Sequence, residues 1–176
     1  MFFTYGIGEI SKNKFKKPHG VSEQNKIQGG IWCCPKHHEL YSEWFILTLA
    51  NPQLTAGKIT IPYDIEINEN AKILKLTTEN INLYTNSDGY IDFNKIKEYD
   101  ALHFTKELVE SVKRFESYYV ESIQILDFDV MQYKESYIDK EYIQSEEFVK
   151  KGFAVLDRIY AALQKTDAFK IIKASK

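Results

Sequence analysis

A chain of 176 residues, 44% apolar and 27% charged, supports one well-buried core and excludes an array of independent domains. A formal net charge of -2 and an isoelectric point near 6.1 exclude a protein held on nucleic acid mainly by neutralised phosphates, which needs a basic excess. The two cysteines are neighbours and cannot staple a fold, and no apolar run approaches the ~20 residues of a membrane-spanning helix.

No charged segment followed by an apolar one trails Met1, so the expected location is the cytoplasm, or a target cell into which another machine delivers the protein. Twelve tyrosines and eleven phenylalanines point to strands and stacking surfaces.

In chain order, the β-branched and aromatic run Phe2 to Ile7 predicts a short first strand, turned by Gly6 and Gly8. Ser11 to Gln28 is polar and lysine-rich and reads as a long loop, with Lys12, Lys14, Lys16 and Lys17 as its basic cluster. Gly29-Gly30 then hinges a strand from Ile31 that Pro35 ends. The window from Gly29 to Trp44 holds both cysteines, His37, His38 and both tryptophans, and reads as the floor of a site.

Glu39 to Ala50 predicts a helix of about three turns, stopped before Asn51-Pro52. Lys58 to Ile67 alternates with Ile59, Ile61, Tyr63, Ile65 and Ile67 on one face, and Pro62 marks it as an edge or bulged strand. Lys72 to Leu76 is a short strand, Asn86-Ser87-Asp88-Gly89 a turn, and Asp92 the cap of a short helix through Glu98. Ala101 to Thr105 is a strand, Lys106 to Phe115 a helix and Tyr118 to Phe128 a strand. Ser145 caps a long amphipathic helix carrying Phe148, Val149, Val155, Leu156, Ile159, Tyr160 and Leu163, which completes the core or offers a partner or dimer surface.

Glu121 is the most informative charge. In Tyr119-Val120-Glu121-Ser122-Ile123-Gln124-Ile125 it shares a predicted strand face with Tyr119, Ile123 and Ile125, which is costly for a carboxylate unless it borders a cleft or finds a donor. Cys33, Cys34, His37 and His38 are zinc-ligand types without zinc-ligand spacing, since adjacent strand residues face opposite ways. A cysteine nucleophile with His37 or His103 as base is a further reading of the same residues. His103 alternates with Leu102 and Phe104 and lies on the face opposite theirs.

Three stretches together resemble the ADP-ribosyltransferase-like superfamily over about residues 2 to 128: Phe2-Phe3-Thr4-Tyr5-Gly6; Gly30-Ile31-Trp32-Cys33-Cys34-Pro35 with Ser42-Glu43-Trp44; and Val120-Glu121-Ser122-Ile123. Tyr99-Asp100-Ala101-Leu102 is similar to a stretch that precedes the last strands of such domains. The resemblance implies an α+β fold, a split β-sandwich of ADP-ribosyltransferase type with flanking helices. It would cover residues 1–130, with 131–176 a helical C-terminal extension on the same core.

It also implies NAD as substrate, Glu121 as the catalytic carboxylate, and Tyr5, Thr4, Gly6, Trp32, Cys34 and Trp44 as cofactor-binding residues. The sequence departs from the family pattern in lacking a first-strand histidine or arginine and in having Cys34 where a serine is usual. The implied activity is transfer of ADP-ribose to a macromolecular acceptor, protein rather than nucleic acid, or hydrolysis of NAD, as a toxin, effector or phage-type modifier. The alternative is an inactive binding or inhibitory protein that engages a partner through its aromatic surface and C-terminal helix.

Overall fold

In a computed structural model, residues 1–5, 8–55 and 60–164 are described, so Gly6 and Ile7 of the predicted first strand and Lys58 and Ile59 of the alternating stretch lie outside the described residues, as does the side chain of Leu163. The chain is α+β. Seven strands form one curled sheet, namely β1 (Phe2–Thr4), β4 (Ile31–Pro35), β5 (Tyr63–Ile67), β6 (Ile73–Leu76), β7 (Ala101–Phe104), β8 (Ser122–Ile125) and β9 (Met131–Glu135). A separate ribbon pairs β2 (Gly20–Val21) with β3 (Ile27–Gln28), inside the stretch expected to be loop. Four α-helices are described, α1 (Glu43–Ala50), α2 (Phe93–Ile96), α3 (Lys106–Ser111) and α4 (Glu146–Leu163). None of them is long and apolar enough to cross a membrane.

The sheet runs β6-β7-β8-β4-β1-β5-β9, and only the β6/β7 pair is parallel. β4 joins two halves. Its residues Ile31, Trp32 and Cys33 pair with Ile125, Gln124 and Ile123 of β8, while only Cys34 and Pro35 pair with Phe3 and Phe2 of β1. The β1/β4 ladder thus ends at Phe3 and Cys34, and the Gly30 amide reaches the Lys16 carbonyl at 2.7 Å.

The register sorts side chains by face. Cys33, Ala101, Ile123 and Ile125 pack with Tyr63, Ile65 and Ile10 on one side. On the other, Trp32, Leu102 and Phe104 pack with Phe115 and Tyr118 at one end, and Cys34 packs with Leu47 and Ile159 at the other. Gln124, fully buried, donates from Nε2 to the carbonyls of Ile27 and Gly29 at 3.1 and 2.6 Å, which ties the β3 end of the ribbon to β8.

Several element bounds differ from the expectations. α1 starts at Glu43 rather than Glu39 because Ser42 caps it, its Oγ accepting from the Phe45 amide at 3.1 Å, and Tyr41 before it has a left-handed φ of 59°. β5 is flanked by β1 and β9, so Pro62 marks neither an edge nor a bulge; it precedes the strand, where its missing N–H costs no ladder bond. α3 stops at Ser111 and gives way to a 3-10 turn over Lys113–Tyr118, which shortens the following strand to Ser122–Ile125.

β9 carries too little apolar residue to announce itself. Only Met131 is buried while Gln132 to Glu135 are exposed, as an outer strand allows. At α4 the Ser145 cap forms as expected, its Oγ accepting from the Phe148 amide at 3.2 Å. Phe148 and Ile159 are buried, while Val149 and Phe153 stay exposed at 43% and 61%.

Candidate active site at the parting of two strands

A pocket of about 330 Å³ opens where β1 leaves β4, at the lower end of the range for small-molecule sites. Five of the six residues expected to hold a cofactor line it: Thr4, Tyr5, Trp32, Cys34 and Trp44. The sixth, Gly6, lies outside the described residues. Trp44, on the first turn of α1, donates its indole Nε1–H to the Tyr5 carbonyl at 2.9 Å, which fixes the end of β1. The Tyr5 ring meets Phe45 edge-on at 5.0 Å.

The sequence reading missed the opposite wall, built by Tyr118 and Tyr119. Tyr119 has a φ of 62°, a left-handed conformation uncommon for a bulky residue and enriched at ligand sites. That turn lets consecutive rings face one pocket, as two residues of an extended strand cannot. Tyr118 packs edge-on against Trp32 at 5.1 Å, and Tyr119 stacks on Trp44 at 6.4 Å and 30°. The lysine ammonium of Lys26 lies 5.9 and 5.6 Å from the two tyrosine ring centres. The visible signal was the pair of tyrosines just ahead of Glu121, hidden by reading residue 118 onward as strand.

Glu121 does not line this pocket. It precedes β8 on the face of Ile123, whereas Ser122, beside it, points into the pocket. Its Oε1 lies 2.6 Å from His103 Nε2, and because an ionised carboxylate only accepts, Nε2 carries the hydrogen. That bond holds the carboxyl below its ordinary value; burial opposes it, and the charges of His103, Lys106 and His37 assist it. The partner is thus a histidine across the β7/β8 ladder.

Cys34 and Cys33 are both buried. Burial is the main cause that pushes the Cys34 thiol up to about 12, with Glu43 and Glu121 adding to it and a contact with Ser122 at 3.9 Å opposing it. Burial likewise raises Cys33 well above the usual thiol range. A neutral thiol is a poor nucleophile, and His103 is bonded to Glu121, which weighs against the cysteine-nucleophile reading with His103 as its base. Among the described residues no three His, Cys, Asp or Glu side chains converge as a metal site, which leaves the zinc reading without a ligand set.

Fold and site together define an α+β protein with an aromatic pocket at the junction of two half-sheets. Compared with known proteins, the chain matches no family model, no curated protein and no solved structure.

Proposed function

We propose that this chain binds NAD in the pocket between β1 and β4 and breaks the bond between nicotinamide and ribose, passing ADP-ribose to a macromolecular acceptor or to water. Under this reading the two half-sheets joined at β4 are a split β-sandwich of ADP-ribosyltransferase type. The observation that carries it is the gathering of Thr4, Tyr5, Trp32, Cys34 and Trp44, drawn from three separate elements, around one cavity. Flat aromatic walls suit a nicotinamide ring, and a backbone held by Trp44 suits recognition of its amide.

In the reaction the glycosidic C–N bond breaks, nicotinamide leaves with the bonding pair, the acceptor bonds to the ribose carbon and its proton is released. Glu121 would stabilise the cationic sugar that forms between those events. To do so its side chain leaves His103 and turns around the mouth of β8, where it is the last residue before regular pairing begins. The pairing with His103 is then the resting arrangement.

A second reading takes the same pairing as permanent. A carboxylate kept outside the pocket by His103 favours a binding or inhibitory protein, with the exposed Val149 and Phe153 of α4 as its contact face.

Nicotinamide release from NAD, measured for the wild type and Glu121→Gln with and without a cell lysate as acceptor source, separates the two. Release that falls by ~10²-fold or more in the variant supports the enzyme. No release in any mixture, or release that Glu121→Gln leaves intact, overturns it.

A further inference from the structure

We propose that this chain pairs with a second copy of itself through the exposed side of α4, the two helices running antiparallel about a two-fold axis beside Phe153 and Ala154. The inner side of α4 is already satisfied. Phe148, Gly152 and Ile159 are buried there, and Gly152 lets the helix lie close to α1, since a Cβ on it would touch Ile46 at 3.7 Å. Yet Val149 and Phe153 of α4 and Leu49 of α1 stay exposed. They share an apolar groove of about 340 Å³ with Ile46, Ala50 and Leu156. Contiguous exposed apolar surface of this kind marks a contact with another molecule. The groove has no residue in common with the aromatic pocket, so the inference stands apart from the NAD reading.

The charges on either side of Phe153 identify the partner as a copy. Lys151 pairs with Glu39 and Glu147, and Arg158 with Glu43 and Glu110. Lys150 and Asp157 are exposed, and neither makes an ion pair among the described residues. They stand three residues before and four after Phe153, on one stripe of the helix and two turns, or about 10.5 Å, apart. A two-fold axis midway between them sets Lys150 of each copy opposite Asp157 of the other. Two reciprocal ion pairs then flank the paired Phe153 rings and the grooves beside them. Glu146, the remaining exposed charge of the first turn, falls opposite the neutral Ala161. A parallel pairing would instead set lysine against lysine and aspartate against aspartate. An isologous contact requires this self-complementarity, and the order of charges selects the antiparallel form. Exposed ion pairs contribute little energy, so the apolar groove supplies the affinity and the charges supply the orientation.

The test is sedimentation velocity of the full chain over a range of concentrations, for the wild type, Phe153→Ser, Lys150→Glu and Asp157→Lys. The wild type is expected to dimerise with a Kd on the order of 10 μM. Phe153→Ser should weaken the dimer by ~10-fold or more, the loss of one buried aromatic side chain. Lys150→Glu and Asp157→Lys should each weaken it by ~5-fold or more, because each sets like charges together at both pairs. A 1:1 mixture of those two variants should associate about as tightly as the wild type, since opposite charges then meet at both pairs. Should Phe153→Ser melt at a lower temperature, the two exposed charge variants and their mixture still decide. A wild type that stays monomeric up to about 1 mM overturns the proposal, even where it engages another protein. So does a dimer that Phe153→Ser leaves intact, or a mixture that associates no better than either variant alone.

Discussion

Nε2 of His103 stands 2.6 Å from Oε1 of Glu121, joining the third residue of β7 to the residue that precedes β8. His103 and Ile123 are register partners, so the contact spans the edge of one ladder rung rather than a distant loop. Both side chains are partly buried, at 23% and 28% exposure, and a partly desolvated carboxylate needs such a donor. The pair sits on the face of the sheet turned away from the Cys34 and Ser122 side chains.

The sign of its pH dependence follows from the depressed Glu121 carboxyl. A folded-state value below the ordinary 4.5 means that the unfolded chain binds more protons, so the contribution to stability is complete above about pH 4.5 and is lost as pH falls through the lower folded value. Thermal melts of wild type and Glu121→Gln should differ at pH 7 and converge in the acid range below 4.5. A difference that stays constant from pH 7 to pH 3 would show that the carboxylate charge contributes nothing.

Gly30 stands where β4 begins, at a φ of 71°, and a Cβ there would lie 2.5 Å from the Ile125 carbonyl oxygen of β8. Gly30→Ala should destabilise by more than ~1 kcal/mol, since both the backbone angle and the contact resist it. That corresponds to a melting point lower by at least ~2–4 °C. Gly20→Ala in the ribbon, whose nearest neighbour is the end of the Gln28 side chain at 3.9 Å, is the control and should shift stability by less than ~0.5 kcal/mol. Equal melting points for the two variants would refute the crowding argument.

The thiols offer a third check. With Cys34 raised to about 12 and Cys33 raised as well, both should resist iodoacetamide at pH 8 in the native protein and react once denaturant exposes them. Rapid native labelling at either position, located by peptide mass, would contradict the burial that keeps both thiols neutral.

Much of the local order was legible because it rests on short-range rules. Asp92 and Ser145 each cap the helix that follows them, through carboxylate or hydroxyl bonds to amides two or three residues on. The turn at Asn86 to Gly89 closes as its residue types demand, the Gly89 amide reaching the Asn86 carbonyl at 2.9 Å. The alternation of Leu102, His103 and Phe104 likewise put the histidine on the face opposite its neighbours, where it meets Glu121.

What escaped the sequence depends on distant partners. β9 pairs along all five residues of β5, yet its polar side chains carry no periodic signal of that pairing. Tyr119 is in a left-handed turn that its own residue type disfavours, and packing against Trp44 accompanies it there. Lys26 looks like one more loop lysine until the Asn25 and Tyr118 bonds bring it to the pocket. The sequence by itself determined the helix caps, the strand alternation and the identity of the aromatic and acidic residues, because propensity and periodicity act between near neighbours. Only the tertiary structure decided that Glu121 faces His103 and that Lys26 shares a cavity with Trp32 and Trp44, because strand register and the parting of β1 from β4 are set by contacts between residues far apart in the chain.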